Sequence, residues 1–256
     1  MQTSQLKRAQ ALSPSSEWAL FLDVDGTILG FADTPNGVAP SDRVTGVLRK
    51  IDLCLEGAVA LISGRTIGNL DHLFVPHKLP AAGLHGLERR DANGRLHILG
   101  EAEALEHLRV PLTKLASFHE GAILEDKGRT LAIHYRRAPD AAEGIRQRVE
   151  ELVRPSSDEL RVIHGKMVSE IKPRHADKGS AIRAFMDEVP FTGRLPVFIG
   201  DDVTDEDGFA AVNALNGHAV HVGDGASKNA HYGLSGVNEV IEWLETWPSI
   251  IHRLVG

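Results

Sequence analysis

The chain is 256 residues long, with 42% hydrophobic residues, 28 Lys and Arg against 35 Asp and Glu, and a formal charge of −7. That length accommodates one large domain or two modest ones around a sizeable core, and the acidic balance argues against a nucleic-acid partner. Cys54 is the lone cysteine, which excludes an intramolecular disulfide and fits a reducing cytoplasm, and no apolar run is long enough to cross a bilayer.

Residues 1–16 are polar and without pattern and read as a loose tail. The apolar run over 19–22 then predicts a buried parallel strand that stops abruptly at Asp23, Asp25, Gly26 and Thr27. Two acids do not close a buried strand for packing reasons, because an anion out of water is costly unless paired or bound to a cation. The carboxyl end of a strand in an open α/β sheet is also where ligands bind. Taken alone, an ordinary acidic turn reads equally well. Gly, Pro and Asp over 29–40 predict a loop. Ser41 and Asp42 cap a helix running to about residue 55, with Val44, Val47, Leu48 and Ile51 on one face. A second buried strand over 58–62 ends in Ser63, Gly64 and Arg65. A helix over 66–74 follows, then a strand over 79–84 that leads into His85 and Gly86.

The pattern changes over 103–172, which reads as helix, hairpin, helix, hairpin. The first hairpin pairs 122–126 with 130–136 around a turn at Lys127, Gly128 and Arg129. In its return arm Leu131, Ile133 and Tyr135 alternate with Ala132 and His134, the period-two mark of a strand with one buried face. The second pairs 160–164 with 167–171 around a turn at Gly165 and Lys166. Such a run inside βα units predicts an α+β insertion in an α/β domain. Pro173 marks the return, and a helix opens at Lys178 and runs to about 187. A third strongly buried strand over 196–199 ends in Gly200, Asp201 and Asp202. Then come a helix over 205–215, a strand over 218–222 and a last helix over 237–247. The expected organisation is thus a tail over 1–16, a core over 17–103 and 174–256, and an inserted unit over 104–173.

Parallel strands bring Asp23 and Asp25, Ser63, and Asp201 and Asp202 to one edge of the sheet. These residues, with Lys178 and Gly179 and the run from Gly200 through Asp205, occur in the order of the four motifs of the haloacid dehalogenase superfamily, which the chain resembles. More narrowly, the segments at Gly83–Gly86, Leu124–Lys127, Leu131–Arg136, Ser169–Pro173 and Gly200–Asp207 resemble its trehalose-6-phosphate phosphatases. The resemblance implies a Rossmann-like parallel-sheet core with an αββαββ cap, and a Mg2+-dependent phosphomonoester hydrolase acting on a sugar phosphate. It implies Asp23 as nucleophile, Asp25 as acid and base, and Ser63 and Lys178 on the phosphoryl oxygens. Asp23, Asp201 and the backbone carbonyl of Asp25 would hold the metal, and Arg65, His85, Glu125, Lys127 and Glu170 would contact substrate.

Plainer readings stand beside each role. Lys178 reads equally as a solvated lysine opening a helix, Ser63 as an N-cap, Arg65 as a salt-bridge partner, and the three cap residues as hairpin surface charge. Asp202 and Asp205 are expected as metal ligands through water, as supports for Lys178, or as helix caps. A different sugar phosphatase, of the sucrose-phosphate or mannosyl-phosphoglycerate type, is the alternative within the same chemistry; a phosphotransferase or mutase is disfavoured by the hairpins. A monomer in the cytoplasm, with no membrane or nucleic-acid partner, is the default expectation.

Overall fold

The computed structural model describes residues 6–30, 39–99, 102–165 and 167–255. The chain forms two compact units, one of Met1–Ile98 with Asp177–Gly256 and one of Leu99–Ala176. No helix among the described residues is long and apolar enough to cross a membrane.

The first unit begins with β1 (Lys7–Arg8) and β2 (Trp18–Leu22), then α1 (Asp42–Cys54), β3 (Val59–Ile62), α2 (Ile67–Leu73), β4 (Ala81–Gly83), β5 (Glu88–Arg90) and β6 (Leu96–Ile98). The second unit holds α3 (Glu106–Ser117), β7 (Ile123–Asp126), β8 (Leu131–His134), α4 (Ala142–Val153), β9 (Leu160–Gly165) and β10 (Val168–Pro173). The chain then returns to the first through α5 (Lys178–Met186), β11 (Leu195–Gly200), α6 (Glu206–Ala214), β12 (His218–Val222), β13 (Tyr232–Leu234) and α7 (Val237–Val255).

Among the described residues the first unit carries one sheet in the order β1-β13-β12-β11-β2-β3-β4-β5-β6. It is parallel from β1 to β4, and β5 and β6 add an antiparallel edge. Strand β2 lies at its centre between β11 and β3, every side chain buried, as expected of a strand covered on both faces. The caps of α1 and α2 follow from local chemistry: Ser41 accepts from the Val44 amide and Thr66 from the Asn69 amide. Helix α5 is pinned to the sheet by its Phe185, whose ring lies 6.0 Å from Phe21 and 5.1 Å from Phe191.

Three stretches differ from the sequence reading. The described part of the stretch expected to be a loose tail is anchored, because β1 pairs with β13 and Ala9 is fully buried in the core. The hairpin of β5 and β6 arises where no element was expected; its residues are only half-buried or exposed, so neither hydrophobic period is strong. Helix α7 continues through Pro248 to Val255, since the buried Ile251 beyond the proline packs on the core and offsets the missing backbone bond. Most of the expected loop over 29–40, the first five residues and Lys166 of the second hairpin turn lie outside the described residues.

In the second unit the sheet runs β7-β8-β10-β9, all antiparallel. One face carries Leu131, Ile133 and Ile171, which pack with Leu108, Leu112, Ile145 and Val149 of α3 and α4. The alternation then puts Ala132 on the opposite face, level with Glu125 of β7 on one side and Glu170 of β10 on the other.

Candidate active site

The strand order β11, β2, β3 sets the ends of three neighbouring parallel strands side by side: Asp201 after β11, Asp23 after β2 and Ser63 after β3. Residues far apart in the chain therefore meet at one rim. The Asp23 amide donates to the Ile199 carbonyl at 2.9 Å and so extends the β2–β11 ladder by one residue, holding the acid at the sheet edge.

Lys178, the first residue of α5, comes to that rim from a different element. Its Nζ donates to Asp23 Oδ1 at 2.7 Å and to Asp205 Oδ1 at 2.5 Å, with all three side chains buried. The approach depends on the neighbouring glycine: a Cβ on Gly179 would overlap the Asp207 carbonyl of α6, so a larger residue would push the two helix starts apart. Asp177 completes the start of α5 with a capping box through Ser180.

Asp205 spends both of its oxygens inside the protein. Oδ1 accepts from Lys178, and Oδ2 accepts the backbone amides of Asp201 and Asp202 at 2.9 Å each. Of the three roles open to Asp205 in the sequence, its geometry is that of a support for Lys178 and a fastener of the 201–202 turn. Asp202 caps the same turn, accepting the Val203 amide at 2.7 Å. Thr27, which sequence reasoning did not single out, donates its hydroxyl to Asp23 Oδ2 at 3.0 Å; its place four residues after Asp23 was the available signal.

Burying two carboxylates with one ammonium leaves the cluster a negative charge in excess. Burial, partly offset by Lys178, pushes the Asp23 carboxyl up to about 7, and burial raises Asp205 as well. Burial alone would lower Lys178, but Asp205 and Asp23 more than reverse this and hold it above its ordinary value. Carboxylate oxygens of Asp23, Asp201 and Asp205 lie within 4.8 Å of one another. A hard, oxygen-seeking divalent cation suits such a donor set, and its charge would complete the balance. Asp205 Oδ2 already accepts two amides and Oδ1 the ammonium, whereas each Asp23 oxygen accepts a single bond, so of these two Asp23 keeps the greater capacity to hold the cation beside Asp201.

On the other side of Asp23, Arg65 Nε and Nη2 donate to Asp25 Oδ2 and Oδ1 at 2.7 and 2.6 Å, a bidentate pair. Ser63 is buried and its Oγ accepts the Arg65 amide at 3.1 Å, the bond of a local turn rather than of a cap on α2, whose cap is Thr66. His85 is buried with its imidazole against Gly64. In the second unit Lys127 Nζ stands 3.9 Å from Glu125 Oε2 and 3.6 Å from Glu170 Oε1, and His134 Nε2 lies 2.8 Å from Glu125 Oε2. Against the burial that would raise it, the contacts of Glu125 with His134 and Lys127 hold its carboxyl below the usual range. His134 was also missed, although the alternation of β8 puts it on the same face as Ala132.

The family profile described as trehalose-phosphatase matches residues 21–234. The chain belongs to the trehalose-phosphatase family. Trehalose-6-phosphate phosphatase of Escherichia coli strain K12 is 44% identical over 235 residues, covering 90% of this chain and 86% of that protein. In fold, the C-terminal domain of Candida albicans trehalose-6-phosphate phosphatase superposes with a TM-score of 0.86 at 21% identity, over 98% of this chain and 100% of that one. A haloalkanoate-superfamily phosphatase of Bacteroides thetaiotaomicron follows the same fold with a TM-score of 0.61 at 14% identity, over 98% of this chain and 100% of that chain. Family membership makes the protein a phosphatase.

Proposed function

We propose that the protein hydrolyses trehalose 6-phosphate to trehalose and inorganic phosphate with Mg2+ as cofactor, through an aspartyl-phosphate on Asp23. The observation that carries this reading is the buried Lys178 bridging Asp23 and Asp205 at the carboxyl rim of the sheet. A carboxylate anchored by an ammonium and aimed from a strand end is a nucleophile held in place, and the same ammonium offsets charge gathering on a phosphoryl group beside it.

In the first step a carboxylate oxygen of Asp23 attacks phosphorus, the bond from phosphorus to the sugar oxygen breaks, and Asp25 delivers its proton to that oxygen. In the second step Asp25 takes a proton from water, the water oxygen attacks phosphorus, and the acyl phosphate opens to restore the Asp23 carboxylate. Ser63 and Lys178 hold phosphoryl oxygens through both steps. Asp23, Asp201 and the backbone carbonyl of Asp25 would hold Mg2+, which would supply positive charge against the anionic phosphoryl oxygens that repel a nucleophile.

Glu125, Lys127 and Glu170 are the groups assigned to the sugar. Hydroxyl-rich ligands require hydrogen-bonding partners that go unsatisfied when the wrong ligand binds, and two glutamates flanking a lysine supply acceptors and a donor on one sheet face. The lone cysteine accords with action in a reducing cytoplasm.

Phosphate release from a panel of sugar phosphates, with and without chelator, tests the reading. Preferred turnover of trehalose 6-phosphate, abolished by chelator, is expected. Equal rates on all phosphomonoesters would remove the trehalose assignment, and preference for sucrose phosphate or mannosyl-phosphoglycerate would replace it. Acid quenching during turnover should trap one phosphoryl group on the peptide containing Asp23; its absence there would remove the covalent step.

A further inference from the structure

The fork of Arg65 on Asp25 joins two residues that the scheme above keeps apart. The arginine side chain is 10% exposed and the aspartate 32%, so the arginine is the fixed member and the acid the projecting one. Its fixity is built from the backbone outward. The Arg65 carbonyl accepts the Leu84 amide at 2.8 Å, and the Ser63 carbonyl accepts the His85 amide at 2.9 Å. Glu88 Oε2 accepts the Ile67 amide at 2.9 Å just beyond. The two segments run so close that a Cβ on Gly83 would stand 2.8 Å from both the Arg65 carbonyl oxygen and the Ile67 nitrogen.

Strain is concentrated on the supporting side. Leu84, His85 and Gly86 are consecutive left-handed residues, with φ of 49°, 54° and 100°. For the two that carry a Cβ, this conformation is strained and persists only where the surroundings over-determine it. Here the surroundings are residues 63–65: the amides of Leu84 and His85 both donate to them, and the imidazole of His85 lies where a Cβ on Gly64 would stand 2.6 Å from its Nε2.

We propose that Arg65 is a positioning residue for the acid–base step, setting where the Asp25 carboxylate stands, and that the left-handed turn Leu84–Gly86 is the brace that sets Arg65. The inference rests on the reading of Asp25 as acid and base. It assigns Arg65 to Asp25 rather than to the substrate as its main role, since Nε and Nη2 both turn to that carboxylate; when Asp25 turns one oxygen to the sugar, the other bond keeps the carboxyl aimed. A lysine could not do this, because a point charge does not fix the plane of a carboxylate.

The test compares R65M, R65K, D25N and the R65M/D25N double variant on trehalose 6-phosphate and on p-nitrophenyl phosphate, whose leaving group departs without a proton. R65M should lower kcat/KM on the sugar phosphate, the parameter that ends with departure of the sugar, by about 10²-fold, the scale of a misplaced reacting group, and R65K should recover only part of it. On the aryl phosphate, whose leaving group needs no acid, R65M should lower kcat/KM by less than about threefold, whereas kcat falls on both substrates wherever the shared second step limits it; in the D25N background R65M should cost less than about threefold in kcat/KM on either substrate, since Arg65 then has no acid to aim. Equal losses of kcat/KM on the two substrates, or a full R65M loss surviving in the D25N background, would each overturn the proposal. Far-UV circular dichroism and thermal midpoints check folding, and R65K carries the same comparison if R65M does not fold. D25N judges the parent reading separately: equal losses of kcat/KM on the two substrates from D25N would remove the acid role in sugar departure.

Discussion

Replacing Lys178 with methionine removes one ammonium and leaves Asp23 and Asp205 facing each other without it, at nearly the same side-chain volume. Two charge-assisted bonds are lost, each worth roughly 1.5–3 kcal/mol, but they share one donor and do not add in full. Breaking a buried pair from one side costs about 3–5 kcal/mol, because the stranded charge stays buried. The cost should depend on pH in a definite direction. Burial already holds Asp23 and Asp205 above the ordinary carboxylate range, and the ammonium is what limits the rise. In the unfolded chain these acids ionise near about pH 4, so an acid raised in the folded state weakens folding as pH climbs from there through its folded value. Without Lys178 that window extends further upward. Urea unfolding with chelator present should therefore show K178M destabilised by about 3–5 kcal/mol at pH 8, and by less than about half of that at pH 5, where Asp23 holds its proton. An equal cost at the two pH values, or a cost under about 1 kcal/mol at pH 8, would refute the charge-pairing argument.

Three further outcomes are open to direct measurement. D23N should abolish turnover, whereas D25N should keep Mg2+ binding by titration calorimetry, through its backbone carbonyl, and lose roughly 10²–10⁴ in kcat on the sugar phosphate; similar residual activity in the two would contradict their roles. E125A and E170A should each lower kcat/KM on trehalose 6-phosphate by about 10²-fold or more while leaving p-nitrophenyl phosphate within about threefold, and parallel losses on both would point to a damaged fold instead. Asp91 accepts the amides of Asn93 and Arg95 and pairs with His97 at 2.9 Å, contacts that hold its carboxyl below the usual range, the His97 bond foremost. Stability from a lowered acid is present above its unfolded value and lost as pH falls through the folded one, so D91N should cost about 1 kcal/mol in urea unfolding at pH 7 and progressively less as pH falls below about 4.

The core was legible because its signals are strong and local. The apolar runs of β2, β3 and β11 are continuous, as strands buried on both faces must be, and each ends in a polar group that packing alone does not explain. The cap hairpins were legible for the opposite reason: Leu131, Ile133 and Tyr135 alternate with Ala132 and His134, so one face is declared by period. What escaped notice lacks either signal. Strand β1 is two charged residues whose only reason to extend is the unpaired edge of β13, a partner more than two hundred positions away. In β5 and β6 no residue is fully buried, and their pairing is imposed by β4.

Side-chain partnership within the site was less legible than site membership, and Asp205 and Arg65 show why. The sequence identifies both as charged groups beside a strand end, but a charge takes its role from what lies across the rim, and that is decided by strand order. With β11, β2 and β3 adjacent, Lys178 meets two carboxylates, and the one without exposed surface becomes its support. Arg65 leaves β3 on the flank of β2, so the acid it meets is Asp25, which projects past Asp23 on the turn closed by the Gly26 amide and the Leu29 carbonyl. A rearrangement that inserted another strand between β2 and β3 would preserve every motif in the chain and separate Arg65 from Asp25 by a further interstrand spacing of about 4.8 Å, beyond hydrogen-bonding reach.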